Sequence, residues 1–300
     1  MTQVVRSQAQ TALGGLATEL HNGSSSGLPL VLTHGIFMDS TLWDSVVTAI
    51  HDRPVLTVDG PGHGRSVEAP VKWSLQQHAK ALLAIMDLHG LDRAVLAGHS
   101  WGGMTSLRLA LAQPDRIAGL GLVNTPLTRP RTAGRAGFRA QQGLLVLTGP
   151  TRFYARRAAM ALYGPEALAG RPDLAQAMAD RLRVRRGRAL SRAVSAVILE
   201  PVDMLDQLSR ITAPVTVIAG VSDYVLPPQT RRAVEKALPH AVVKIVEGGH
   251  ISPHEAPHAT LKALQALLAT AERSRGPTDQ KPHGKGTCLG SESTGEQVAH

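Results

Sequence analysis

The 300-residue sequence predicts an α/β protein in which helices cover both faces of a mostly parallel sheet. Three observations carry that expectation. Short apolar runs of strand length alternate with longer segments of helical period. One of those runs passes through Gly98-His99-Ser100-Trp101-Gly102-Gly103 directly into a helix. Between Asn124 and about Leu205 the strand-like runs disappear and only helical patterning remains, which marks an insertion.

Taken in order, short N-terminal strands are expected to flank the turn-rich segment His21 to Gly27, followed by the apolar run Pro29-Leu30-Val31-Leu32-Thr33. A helix from about Thr41 to Ile50, a strand from Val55 to Val58 and a helix from Leu75 to His89 lead to the strand Ala94-Val95-Leu96-Ala97. The helix after it runs from Met104 to a stop at Pro114, and Ile117 to Val123 closes a first half, residues 1–124. Residues 125–205 read as a helical covering lid. Residues 206–272 form a second half with strands at Pro214 to Gly220 and Val242 to Val246 and a final helix. Residues 273–300 are rich in Gly, Ser, Thr and Lys with hardly any apolar side chains, a composition that reads as disordered.

The chemistry is expected at the carboxyl ends of the strands, where open α/β sheets place their ligands. A serine between glycines at a strand-to-helix turn is a nucleophile elbow, because only a tight turn lifts the Ser100 hydroxyl clear of the sheet edge. An isolated serine is a poor nucleophile and needs a base that is itself oriented by an acid. The loop Val221-Ser222-Asp223 follows one strand and Glu247-Gly248-Gly249-His250 follows the next, making Asp223 the acid and His250 the base. Asp203 and Asp206 are rival acids, but they open a helical stretch rather than follow a strand. His254 and His258 are expected at the surface or in loops, and His99 to point sideways into packing.

Attack on a carbonyl puts charge on its oxygen, which backbone N–H groups stabilise best. Trp101, at the start of a helix, supplies one such donor. The second comes from the loop His34-Gly35-Ile36-Phe37, with Ile36 first and Phe37 second in order, and His34 bracing the loop.

These residues together resemble the α/β-hydrolase superfamily, of the lidded esterase, lactonase and carbon–carbon hydrolase kind, over about residues 14 to 270. The order Ser, Asp, His is the one that superfamily uses. Further likenesses are the glycine-rich loop Asp59-Gly60-Pro61-Gly62-His63-Gly64-Arg65-Ser66, a Gly-x-x-Asp match at Gly220 to Asp223 and a Gly-Gly-His match at Gly248 to His250. Epoxide hydrolases and haloalkane dehalogenases share a tryptophan like Trp101 but carry aspartate where Ser100 stands. Aspartate attacks alkyl carbon, whereas serine prefers acyl carbon. Carbon–carbon hydrolases often have tryptophan after the catalytic histidine, where this chain has Ile251. The resemblance therefore implies a serine hydrolase of a small carboxylester, lactone or related acyl substrate. Carbon–carbon bond hydrolysis, or a ligand sensor built on the same scaffold, stands as the alternative.

Composition narrows the classes further. No run of about 18 apolar residues spans a bilayer, and Met1 to Gln10 lacks a signal-peptide core, so a cytoplasmic protein is expected. Cys288 is the only cysteine, which removes an intramolecular disulfide and a cysteine metal site. No cofactor or metal is expected, since the residues the chemistry needs are in the chain. The net charge of +9 resides in the insertion, where residues 125–205 hold 14 arginines, no lysine and five acids. With aromatics at 3%, stacking platforms are scarce and nucleic-acid binding is disfavoured. The run Arg181, Arg183, Arg185, Arg186 and Arg188 either coats a solvated face or turns one or two guanidinium groups inward to an anionic substrate group. Phe37, Phe138, Leu144 and Phe153 are candidates to line the acyl pocket.

Overall fold

The computed structural model describes residues 4–127, 132–199, 204–226 and 228–274. Its eight strands are β1 (Val4–Thr11), β2 (Gly14–His21), β3 (Leu30–Thr33), β4 (Val55–Val58), β5 (Ala94–His99), β6 (Ile117–Val123), β7 (Val215–Gly220) and β8 (Val242–Val246). They form one sheet in the order β1-β2-β4-β3-β5-β6-β7-β8. Only the β1–β2 and β2–β4 pairings are antiparallel; all others are parallel. The strands at the centre, β3, β4, β5 and β6, are buried at every residue, as strands covered on both faces must be.

Outside the insertion, the helices are α1 (Asp44–Val47), α2 (Leu75–Leu88) and α3 (Trp101–Ala112) in the first half. Between β6 and β7, in the stretch termed the insertion, lie α4 (Thr132–Thr148), α5 (Arg152–Leu162), α6 (Pro165–Gly170), α7 (Pro172–Arg183) and α8 (Gly187–Val194). Three follow it: α9 (Pro228–Ala237), α10 (Ser252–Glu255) and α11 (Pro257–Arg273). Helices α2 and α3 pack on one face of the sheet, and α1 and α11 on the other. The start of α2 is set by a capping box, in which the Ser74 hydroxyl accepts the Gln77 N–H and the Gln77 side chain accepts the Ser74 N–H. No helix among the described residues is long and apolar enough to cross a membrane.

The α/β architecture expected from the alternation of patterns is the one observed, with two differences of detail. The two N-terminal strands do not flank the His21 to Gly27 segment; both precede it, as a hairpin that turns at Ala12 and Leu13. The helix expected from Thr41 to Ile50 is broken into a 3-10 turn at Ser40–Trp43 and the single turn of α1. Asp39 explains the tight start, since its carboxylate accepts both the backbone N–H of Thr41 at 3.2 Å and the Thr41 hydroxyl at 2.5 Å. The 273–300 segment lies outside the described residues from 275 onward, as does Asp203.

Candidate active site

Ser100 sits between β5 and α3 with φ 50° and ψ −112°, a conformation that costs a non-glycine residue on the order of 1–3 kcal/mol. The neighbouring glycines make it possible. A Cβ on Gly98 would strike the backbone of Gly102, and one on Gly102 would strike the Thr33 carbonyl. The Ser100 N–H donates to the Val123 carbonyl at 2.8 Å, tying the turn to β6. Behind it the Trp101 indole fills the core, stacked on Trp73 at 5.3 Å and edge-on to His34 and His63.

Three loops from three strand ends converge here. The Ser100 hydroxyl lies 2.9 Å from His250 Nε2, and His250 Nδ1 lies 3.0 Å from each oxygen of Asp223. All three residues are buried. Burial pushes the Asp223 carboxyl up, but the charge and hydrogen bond of His250 and bonds from Asn124 and the Leu226 N–H outweigh it and hold the group below the usual carboxylate range. The carboxylate therefore stays ionised and keeps the Nδ1 proton on its side of the ring, leaving Nε2 as the acceptor for the serine hydroxyl.

Asn124, at the end of β6, escapes a sequence reading. Its Nδ2 donates to Asp223 Oδ2 at 2.8 Å and to the Gly249 carbonyl at 3.2 Å, spanning the acid and the histidine loop. The Val225 and Leu226 N–H groups, at 2.8 and 3.1 Å, complete the carboxylate's partners at Oδ1. Asp206, the rival acid still described, is exposed on the 3-10 turn Leu205–Arg210.

For a developing oxyanion, Trp101 is the first residue of α3, so its N–H has no partner within the helix. Phe37 has φ 68° in a turn closed by the Met38 N–H on the Gly35 carbonyl at 3.2 Å. Its own N–H is already engaged, donating to His63 Nε2 at 3.2 Å. Ile36, at the first corner of that turn, keeps an N–H the turn does not use. His34 braces the loop as expected, its Nε2 accepting the Gly60 N–H at 2.8 Å and its Nδ1 donating to the Gly35 carbonyl at 2.7 Å. His99 turns into packing, where burial, then the neighbouring His250, lowers it to about 3; its protonated Nε2 donates to the His250 carbonyl at 2.7 Å.

The pocket candidates divide. Phe37 is buried and meets the Tyr154 ring edge-on at 5.9 Å. Leu144 is 50% and Phe153 70% exposed, and Phe153 lies against the Arg157 guanidinium, so neither encloses an acyl chamber. Helical pattern marked them as apolar, and both occupy solvent-facing positions of α4 and α5. Phe138 lies on α4, with its side chain outside the described residues. His258 is exposed, but His254 is not a surface residue: it is half-buried, with Nδ1 at 2.9 Å from the Tyr163 hydroxyl, and burial lowers it to about 4.

Within the arginine run, Arg183, Arg186 and Arg188 are exposed, as a solvated face requires. Arg181 pairs with Asp39 at 3.2 Å and donates to the Thr41 hydroxyl at 3.1 Å. Arg186 pairs with Glu68 at 3.0 Å, and Arg192 donates to the Ala69 carbonyl. These three also bridge the insertion to loops of the sheet domain, Arg186 while its side chain stays 84% exposed.

Comparison with known proteins agrees with this architecture. A family model described as the alpha/beta hydrolase fold matches residues 29–257. A Pseudomonas syringae protein named "Putative carbamate hydrolase RutD" is 33% identical over 84% of this chain and 98% of its own. The 3-oxoadipate enol-lactonase 2 of Acinetobacter baylyi is 25% identical over 82% of this chain and 90% of its own. Among solved structures, a hydrolase from Pseudomonas aeruginosa superposes with a TM-score of 0.78 at 27% identity, covering 88% of this chain and 98% of that one. The chain belongs to the α/β-hydrolase fold family.

Proposed function

We propose that this chain is a serine hydrolase that cleaves a small carboxylester, lactone, carbamate or related acyl substrate through an acyl-enzyme. The observation that carries the reading is the unbroken run of hydrogen bonds from the Ser100 hydroxyl through His250 to Asp223, at 2.9 and 3.0 Å. Ser100 Oγ bonds to the acyl carbon while its proton passes to His250 Nε2, and the carbonyl electron pair moves onto oxygen, facing the Ile36 and Trp101 N–H groups. Collapse of that adduct expels the alcohol, enol or amine, which takes the proton from Nε2. Water then repeats the sequence on the acyl-enzyme, its proton going to His250, to release the acid and restore Ser100. Asp223 holds the imidazole and stabilises its charged form. The relatives named as a carbamate hydrolase and an enol-lactonase support a carbonyl electrophile. Helices α4 to α8 act as the lid, with Phe37 and Tyr154 on the route beneath it.

Labelling with a fluorophosphonate followed by peptide mapping tests the nucleophile. The adduct is expected on Ser100 and absent from Ser100→Ala and His250→Ala proteins with native circular dichroism. Turnover of acyl esters, lactones and carbamates by either variant at the wild-type rate would overturn the proposal.

A further inference from the structure

The insertion meets the sheet domain at one more place, around His250. Three backbone N–H groups converge on the Glu255 carboxylate: Gly249 to Oε2 at 2.8 Å, Gly164 to Oε2 at 3.1 Å and Ile251 to Oε1 at 2.9 Å. Gly249 and Ile251 flank His250 in the chain. Gly164 does not; it lies between α5 and α6 of the insertion. The same turn supplies the acceptor for the His250 N–H, which donates to the Leu162 carbonyl at 2.9 Å. With the His250 carbonyl held by His99, the main chain from 249 to 251 is fastened by α10, by the elbow and by the insertion together.

The fit leaves no room for slack. A Cβ on Gly249 would come 2.6 Å from the Gly164 nitrogen, and one on Gly248 would come 2.7 Å from Glu255 Cβ. A carboxylate accepting from backbone N–H groups makes bonds about twice as strong as neutral ones, and removing it leaves donors without partners. One anionic side chain therefore serves the histidine loop and the insertion at once. If the insertion lifts, Gly164 leaves Glu255 and Leu162 leaves His250 in the same movement.

We propose that Glu255 is a positioning residue that makes the placement of His250 conditional on the seating of the Leu162 to Gly164 turn. The inference rests on the reading of His250 as the base for Ser100. Its consequence is that substrate entry and activation of the nucleophile are linked: the imidazole is held in line only when the insertion is closed over it.

Two pairs of variants test this. Glu255→Ala removes both acceptor oxygens, and Glu255→Gln keeps one. Gly164→Pro replaces the single N–H from the insertion at a residue whose φ of −64° already suits proline, after a Tyr163 in extended conformation. Gly164→Ala keeps that N–H and is its control. The measurement is fluorophosphonate labelling at several probe concentrations, well below each variant's Tm, which separates the maximal rate from the half-saturating concentration. Glu255→Ala and Gly164→Pro are expected to lower the maximal rate about tenfold or more with half-saturation within about twofold, Glu255→Gln to fall between, and Gly164→Ala to match wild type. The proposal is overturned if folded Glu255→Ala and Gly164→Pro label at the wild-type maximal rate, if only half-saturation moves, or if Gly164→Ala falls as far as Gly164→Pro. Should Glu255→Ala not fold, Glu255→Gln and the Gly164 pair decide by the same criteria. Ser100→Ala and His250→Ala run alongside. Label on either means the active-site reading fails, whereas their silence beside fully reactive Glu255 and Gly164 variants means only the coupling fails.

Discussion

Asn124 Nδ2 lies 2.8 Å from Asp223 Oδ2, and the same nitrogen holds the Gly249 carbonyl at 3.2 Å. The amide thus sets the distance between the acid and the loop that carries His250. Asn124 has φ 48°, which asparagine tolerates and alanine does not, so a simple truncation would mix two effects. Asn124→Gly relieves the backbone while removing the amide. It is expected to lower kcat by about tenfold or more with little change in KM, the worth of a hydrogen bond to a charged group. A glycine variant with the wild-type kcat would show that the amide is only packing.

Asp223→Asn tests the opposite side of the same contact. An amide can offer its nitrogen to His250 Nδ1, which favours the tautomer with its proton on Nε2, so the ring can no longer accept from Ser100. Loss of about 10³- to 10⁴-fold in kcat is expected with the fold intact, measured on any ester the wild type turns over. A drop of only a few-fold would mean that His250 is oriented by its main-chain ties and not by the carboxylate.

Ser100, Asp223 and His250 were legible as candidates because each follows an apolar run through a glycine-containing turn, with Gly98 and Gly102 around the serine, Gly220 three residues before the aspartate and Gly248-Gly249 before the histidine. Asn124 and Glu255 were not legible, since their importance comes from contacts with residues 99 and 91 positions away that no spacing announces. The outward exposure of Leu144 and Phe153 escaped for a related reason: a helical pattern says which residues share a face, not which face the rest of the molecule covers. For the arginines, sequence showed a run fit for solvent but not the ion pairs that Arg181 and Arg186 make. The partners they found, Asp39 and Glu68, are remote in the chain and visible only in the folded structure.

Buried imidazoles give this protein an acid weakness of definite sign. His63, His78 and His99 are each lowered to about 3, mainly by burial, so they stay neutral in the folded chain while the unfolded chain takes up a proton near the ordinary value of 6.5. As pH falls below 6.5 the unfolded state binds more protons, and each group removes about 1.4 kcal/mol of stability per pH unit until about pH 3; above 6.5 the effect vanishes. Asp223, with its lowered carboxyl, adds its own loss only at the acidic end of that window. Urea unfolding at pH 7.5, 6 and 5 should show a steep decline below the first value. His78→Asn, whose amide nitrogen can replace Nδ1 in the 3.0 Å bond to the Thr105 hydroxyl, should flatten the slope by about one proton. Stability that is constant across this range is the result that would falsify the assignment of neutral imidazoles.

The Arg181–Asp39 pair ties α7 of the insertion to the loop after β3 at 3.2 Å. Its side chains are 22% and 14% exposed, a setting between a solvent-screened surface pair and a fully desolvated one. Burial pushes the Asp39 carboxyl up, yet the Thr41 hydrogen bond and the Arg181 charge leave it below its ordinary range, so the pair is ionised at neutral pH. Arg181→Gln and Asp39→Asn, singly and together, form a cycle in which a coupling of about 1 kcal/mol or more is expected. Asp39 also caps the Ser40–Trp43 turn, so Asp39→Asn should cost more than Arg181→Gln and the cycle is needed to separate the two roles. If the arginine works as a clamp, Arg181→Gln should also speed proteolytic cutting within α4 to α8 while leaving cutting elsewhere unchanged. Additive losses, within about 0.3 kcal/mol, with no change in that cutting, would reduce the pair to a contact without mechanical consequence.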